Sequence, residues 1–216
     1  MIDITTTATI RPSIIKATFD SFFEHVSYSG DFRLVINIDP AGEIKKPKEV
    51  LKVVNKYFNN IVYNIPKKPN FSKAVKWCWT QCQSDYVFHI EDDWLFNKKI
   101  NLDHMIEIMN KYTELSSLRL CKHKIPDTHK YYVFRSIWRY NEDGFFVSDD
   151  WGKVFGLNPI LIRKKFIDEA LTVFDTDLSP EKQFRDLNEI MIPVIKKWKY
   201  AIYGDPNSPE YVIDIG

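Results

Sequence analysis

Residues 86–94 read YVFHIEDDW: the strand-like run Tyr86 to Ile90, then three consecutive carboxylates, Glu91, Asp92 and Asp93. A short, mostly apolar run of this kind suits a strand buried on both faces. Three adjacent carboxylates repel one another and need water or a cation to screen them. The stretch therefore reads as a core strand over 86–90 that delivers an acidic turn to the rim of a sheet.

Working backwards, Phe71, Ala74, Val75, Cys78 and Cys82 mark one face of a helix. Before it come a loop, PKKPN at 66–70, and a strand, IVYNI at 61–65. Val50, Val54, Tyr57 and Phe58 mark another helix, and RLVINI at 33–38 is a strand ending at Asp39-Pro40. Pro12, Ile15, Phe19, Phe22 and Val26 give an amphipathic helix over 12–27, preceded by a strand over 2–7. The order β-α-β-α-β-α-β predicts an α/β fold with a mostly parallel, doubly wound central sheet flanked by helices. Ligands of such sheets bind beyond the carboxyl ends of the strands. Thr5, Thr6, Thr7, Asp39 and Glu91 to Asp93 fall at those ends.

The second half is less regular. Residues 101–114 read as a helix, and SSLRLCK and YYVFRSIW as strands in a hairpin-like extension. Residues 163–171 and 181–199 read as helices, the latter bent or ended by Pro193, and the tail as short strands and turns. The 216 residues fit one domain, with a nucleotide-binding half at 1–96 and an acceptor-facing half at 97–216.

Composition narrows the class. A hydrophobic share of 44% and a charged share of 27% describe a globular chain with a sizeable core. The formal net charge of +1 argues against gripping nucleic acid by bulk electrostatics. Only 7 glycines argue against a glycine-rich phosphate loop, and 15% aromatics offer stacking surfaces. Cys78, Cys82 and Cys121 form no CxxC pair, so reduced thiols are expected rather than a disulfide framework or a zinc finger. The opening MIDITTTATIRP lacks the pattern of a signal peptide, and no apolar run reaches the ~20 residues of a membrane span. A soluble, cytoplasmic protein is expected.

For the acidic turn, Mg²⁺ or Mn²⁺ is the natural partner. Such hard cations take one or two carboxylates, waters and substrate phosphate oxygens. That chemistry suits a nucleotide-diphosphate donor, whose charge the metal neutralises as it leaves. A solvated acidic turn is the alternative.

The chain resembles GT-A fold glycosyltransferases of family two. The resemblance rests on ITTTATIRPSIIKATFDSF, on VINIDP, on PNFSKAVKW and on DYVFHIEDDW with its DXD-type acids, over residues 2–96. It extends more loosely to VFGLNPILIRKKFIDEAL and VFDTDLSPEKQF, where Glu181 falls at the base motif and Lys182 stands where an Asp is usual. Lone transferases of this size also resemble those of phages and large viruses. The resemblance implies a metal-dependent transfer of a sugar from a nucleotide-diphosphate sugar, such as a UDP-sugar, to an acceptor hydroxyl. It puts Thr5 to Thr7 and Asp39 by the nucleoside, Arg11 at a phosphate, and Ser72 and Lys73 at a helix start facing ribose or phosphate. Asp92 would touch ribose or metal, Asp93 would ligate the metal beside Glu91, and Glu181 would be the base of an inverting displacement.

Several residues keep two readings. Ser72 also reads as a plain helix cap, Arg11 as a surface arginine, and Glu181 as a complement to a helix dipole. Asp150, in the stretch Asp149-Asp150-Trp151-Gly152, is the reserve base. His89 reads as a satisfied core histidine rather than a ligand. Trp77 and Trp79, two apart on a helix, face different ways, so one of them belongs to the core. Trp94 reads as core or as a packing partner of donor or acceptor. Basic clusters at Lys45-Lys46-Pro47-Lys48, Lys67-Lys68, Lys122-His123-Lys124, Arg163-Lys164-Lys165 and Lys196-Lys197-Trp198-Lys199 read as solvated faces. Together with Tyr131, Tyr132, Phe134, Arg135, Trp138 and Arg139 they keep open a DNA acceptor carrying a hydroxylated modified base, beside a saccharide or lipid-linked one. A nucleotidyltransferase and a non-catalytic nucleotide-binding module are the remaining alternatives.

Overall fold

The structure, a computed structural model, describes residues 1–43, 46–133, 136–148, 155–185 and 187–216. The first half alternates as the hydrophobic pattern requires: β1 Ile2–Ile10, α1 Pro12–His25, β2 Val26–Ser27, β3 Phe32–Gly42, α2 Pro47–Val54, β4 Ile61–Asn64, α3 Phe71–Thr80 and β5 Tyr86–Glu91. There follow β6 Trp94–Phe96, β7 Ile100–Asn101, α4 Leu102–Lys111, β8 Leu115–Leu120, β9 Lys130–Val133, β10 Ser136–Asn141, β11 Phe145–Ser148, β12 Ile160–Arg163, α5 Lys164–Leu171, α6 Ile192–Ile195, β13 Lys199–Tyr203 and β14 Val212–Asp214.

Among the described residues, one ten-stranded sheet runs β4-β3-β1-β5-β12-β8-β13-β11-β10-β9. The first four strands are parallel, as helical crossovers dictate. β12 enters antiparallel on both sides, β8 and β13 are parallel, and the β11-β10-β9 end is antiparallel. Both faces of the sheet are covered. In β5, Phe88 and Ile90 join one core, with Ile15, Phe19 and Phe22 of α1. Val87 joins the other, with Val75 and Trp79 of α3, Phe166 of α5, and Phe155 and Phe184. That two-sided burial explains why β5 reads as a nearly continuous apolar run. Trp79 and Trp94 are core residues, whereas Trp77 is only half-buried. The three cysteines are free and buried, and burial pushes the Cys78 thiol up to about 12.

β1 and β3 both run beyond their expected ends. After a register shift between Ala8 and Ile10 they pair again at Ile10 and Gly42. Gly42 makes this possible: its φ is +128°, and a Cβ there would lie 2.7 Å from the Ile10 backbone. The helix expected over 181–199 is absent. Two 3₁₀ turns, at Lys182–Phe184 and Glu189–Met191, precede the short α6, and β13 begins at Lys199. Phe184, Met191 and Ile195 are buried at near-helical spacing, which mimics a helix in the sequence. Asn188 caps the second turn through its side chain, and Pro193 permits only a fresh start.

A buried ion pair closes the amino end of the sheet. Arg33 Nε donates to Asp3 Oδ1 at 2.5 Å, and Arg33 also donates to the Gln81 carbonyl at 2.9 Å. The backbone N–H groups of Gln83 and Ser84 donate to Asp3 Oδ2 at 2.6 and 2.9 Å. Burial pushes the Asp3 carboxyl up, but these donors outweigh it and hold it below its ordinary value. Its stabilising share is thus present at neutral pH and is lost as pH falls through the carboxylate range. Arg33→Met should lower stability at pH 7 by about 3–5 kcal/mol, because it strands a buried carboxylate. In urea titrations the gap to the parent should narrow below about pH 4. A gap that does not change with pH would contradict the pairing.

Candidate functional site

The carboxyl ends of β1, β3 and β5 meet at a cavity of about 280 Å³. It is lined by Thr7, Ala8 and Thr9 of β1, Asp39 of β3, Phe71 and Ala74 of α3, and Glu91, Asp92 and Asp93 at and after the end of β5. Three segments far apart in sequence converge here because parallel pairing brings Thr7 beside Asn37 and Glu91.

Asp92 is buried and fixed. Its Oδ2 accepts from the Thr9 backbone N–H at 2.9 Å and from the Thr9 hydroxyl at 3.3 Å. Its carbonyl accepts from the Thr18 hydroxyl at 2.7 Å. One Arg11 amino group donates to Asp92 Oδ1 at 2.7 Å and to Asp93 Oδ2 at 2.9 Å. Arg11 Nε donates to the Thr9 hydroxyl at 2.8 Å. Arg11 is therefore the counterion of the acidic turn rather than a free surface arginine. Burial pushes the Asp92 carboxyl up, against the pull of Thr9 and Arg11. Asp93 remains about one-fifth exposed, and its carbonyl accepts from the Ile215 N–H at 2.9 Å, past the end of β14, which pairs with β6. Half-buried Glu91 is pushed up to about 8, by burial first and then by the charges of Asp93 and Glu181.

Asp39 is also buried and fixed. Its Oδ1 accepts from the Asn37 amide at 2.8 Å and its Oδ2 from the Asn70 backbone N–H at 2.9 Å. Asn64 in turn donates to Asn37 at 2.7 Å. This relay ties the ends of β3 and β4 to the start of α3.

The threonines divide. Thr7 reaches the cavity, but the Thr5 hydroxyl is bonded to His89 Nδ1 at 2.9 Å, and Thr6 is sealed in the strand. The strand runs on past Thr7, so the rim falls to Ala8 and Thr9, which the strand boundary expected at Thr7 left out. His89 is a core histidine as expected: burial lowers its pKa to about 3, so it is neutral. At the start of α3 the cap is Asn70, whose side chain accepts from the Lys73 N–H at 2.8 Å. Ser72 instead donates to the Leu178 carbonyl and ties α3 to the loop that carries the base candidate. The Lys73 side chain is exposed and does not line the cavity.

Glu181 precedes a 3₁₀ turn rather than sitting in the first turn of a helix. Its Oε1 accepts from the Leu157 N–H at 2.7 Å, and its Oε2 lies 3.7 Å from Arg185. Buried Arg119 of β8 stands beside it: a Cβ at Gly156 would meet both Arg119 and Glu181 within 3.4 Å. Sequence reading missed Arg119, because an arginine in an apolar strand carries no motif. Asp149, Asp150, Trp151 and Gly152 lie outside the described residues, as do Phe134 and Arg135. In the β9-β10 hairpin, Trp138 is buried opposite Tyr131, and Tyr131 packs on Phe146, so this aromatic pair belongs to the core. Tyr132 is exposed.

The oxygen-only set of Glu91, Asp92 and Asp93 fits a hard divalent cation, which asks for one or two carboxylates and fills the rest of its shell with water and phosphate. Among the described residues no group of three ligating side chains is poised around one point. Asp92 is held by Arg11 and Thr9 and is buried; Asp93, bonded to Arg11 through one oxygen and partly exposed, and Glu91 could hold the cation. None of the helices, among the described residues, is long and apolar enough to cross a membrane.

No protein-family description and no curated protein matches the chain. Solved structures match in fold. S. aureus TarS, residues 1–349, superposes with a TM-score of 0.63 at 14% identity, over 99% of this chain and 60% of that one. The same fragment has been solved with UDP-GlcNAc and with UDP. The mannosyltransferase PcManGT from Pyrobaculum calidifontis, in complex with GDP-Man and Mn²⁺, gives a TM-score of 0.59 at 10% identity, over 94% of this chain and 55% of that one. A CMP:2-keto-3-deoxy-manno-octonic acid synthetase complexed with CTP gives 0.55 at 9% identity, over 95% of this chain and 90% of that one. The chain thus spans only 55 to 60% of the TarS fragment and the mannosyltransferase. At these identities the likeness shows the fold, and the fold is of the GT-A type.

Arg11→Met should cost about 2–4 kcal/mol of stability, since it leaves buried Asp92 without its cation. Thermal denaturation with Lys16→Met as the exposed control measures it. Equal midpoints for the two variants would contradict the clamp.

Proposed function

We propose that the chain is a metal-dependent glycosyltransferase that moves a sugar from a nucleotide-diphosphate sugar, most simply a UDP-sugar, to an acceptor hydroxyl with inversion. The observation that carries this reading is the single cavity shared by Thr7 to Thr9, Asp39 and Glu91 to Asp93. It offers carboxylate acceptors for a nucleoside at one end and hard oxygen ligands for a diphosphate-bound cation at the other. The TarS fragment with UDP-GlcNAc and the mannosyltransferase with GDP-Man and Mn²⁺ share the fold and support the donor class.

Asp39 accepts a hydrogen bond from the base N–H or a ribose hydroxyl, and its bonds to Asn37 and Asn70 hold it ready. Asp93 and Glu91 would hold Mg²⁺ or Mn²⁺, which neutralises the departing diphosphate. Arg11 holds Asp92 and orients the turn. Glu181 takes the proton of the attacking hydroxyl. The Leu157 N–H fixes its Oε1, and Arg185 stands near its Oε2. In this reading residues 1–96 hold the donor and residues 97–216 face the acceptor. The same reading places the protein in the cytoplasm and extends to enzymes of the phage type.

The CMP:2-keto-3-deoxy-manno-octonic acid synthetase, matched over 90% of its length, supports nucleotidyl transfer as a second reading. Against it, the segment ATIRPS, from the end of β1 into the start of α1, has no glycine to cradle a triphosphate, and its Arg11 is bonded to Asp92 and Asp93. Calorimetry with UDP and CTP, each with Mn²⁺, separates the two. With Mn²⁺ present UDP should bind, Asp93→Ala should abolish that metal-dependent binding, and Asp39→Ala should weaken it. Preference for CTP would favour the second reading. Glu181→Gln should keep donor affinity and lower turnover by roughly 10²–10⁴. If Glu181→Gln keeps near-full turnover and Asp150→Asn loses it, Asp150 is the base.

A further inference from the structure

A second cavity, of about 460 Å³, opens beside the first. Its walls are the start of α3 and the segment 176–180, with Asn70, Phe71, Thr176, Asp177, Ser179 and Pro180 among its lining residues. Phe71 lines both cavities. We propose that this second cavity is the acceptor subsite and that it takes an uncharged saccharide chain; the proposal rests on the glycosyltransferase reading above.

Position is the first argument. An acceptor must lie next to the donor and within reach of the base. The second cavity shares Phe71 with the donor cavity and ends at Pro180, the residue before Glu181. Its walls are also tied to the donor site. The Asn70 N–H is held by Asp39, and Ser72 is bonded to the Leu178 carbonyl.

Chemistry is the second. The Asp177 carboxylate and the Thr176 hydroxyl have no hydrogen-bond partner among the described residues and stand ready for a ligand's hydroxyls. Phe71 is 42% exposed and offers an apolar ring at the junction of the two cavities. An apolar ring flanked by a few hydrogen-bonding groups suits the C–H face and the hydroxyl rim of a sugar. A cavity of this size accommodates one or two sugar rings.

Charge is the third. Among the described residues no lysine or arginine lines this cavity, and Asp177 is negative. A polyphosphate chain such as DNA gains its affinity from cations placed along it. Here it would meet a carboxylate instead. The aromatic residues that kept a DNA acceptor open are partly withdrawn, since Trp138 is in the core.

The test uses the whole chain with UDP and Mn²⁺ present. Saturation-transfer NMR with maltotriose, cellotriose and chitotriose is run beside a thymidine octanucleotide. Asp177→Asn and Thr176→Val, both outside the donor cavity, are compared with the parent. At least one trisaccharide should bind the parent, and each variant should weaken it about tenfold while UDP affinity stays unchanged. Absence of trisaccharide binding, undiminished binding in both variants, or preference for the octanucleotide would overturn the subsite. The donor reading fails separately, by absence of metal-dependent UDP binding to the parent in calorimetry.

Discussion

One guanidinium holds the working end of this sheet together. Arg11 follows β1, Asp92 and Asp93 follow β5, and the two strands lie side by side. Without the arginine, two adjacent carboxylates, one of them buried, would face each other at the sheet rim at a cost of several kcal/mol. With it, Asp92 is neutralised and the Thr9 backbone completes its set of donors. Asp93 keeps partial exposure, and Glu91, pushed up to about 8, is left beside it. The clamp thus gives the acids different roles. Asp92, buried, accepts from Thr9 and Arg11, while the Asp93 carboxylate is bonded to Arg11 and stays one-fifth exposed.

The first half was readable because its signals are local and periodic. A strand buried on both faces appears as a nearly continuous apolar run, and YVFHI, broken only by His89, is one. Helical spacing at Ile15, Phe19 and Phe22 located α1, and Pro12 marked its start. What local pattern could not supply was length beyond the pairing. β1 reaches Ile10 because Gly42 lets β3 approach it closely, and that is a contact between residues 32 positions apart. The shift moved the site rim from Thr5 and Thr6 to Ala8 and Thr9.

The second half misled for a related reason. Phe184, Met191 and Ile195 are buried against the core formed with Trp79 and Phe166, so their spacing looks helical although the chain between them turns twice. Tertiary packing dictates the pattern there, and backbone regularity does not follow from it. The family resemblance and the Ser179-Pro180 helix-start signal both point to Glu181, but the element it precedes is a 3₁₀ turn. Arg119, the Asp3–Arg33 pair and the second cavity depend on contacts between distant strands and loops, and no single stretch of sequence displays them.

The proposed donor site is the cavity at the ends of β1, β3 and β5, with a cation held at Asp93. A crystal grown with UDP and Mn²⁺, with anomalous data collected at the manganese edge, tests it directly. One anomalous peak is expected in coordination distance of the Asp93 carboxylate, with the uridine against Asp39. A manganese peak elsewhere, or a nucleotide bound away from Asp39 and Asp93, would contradict it.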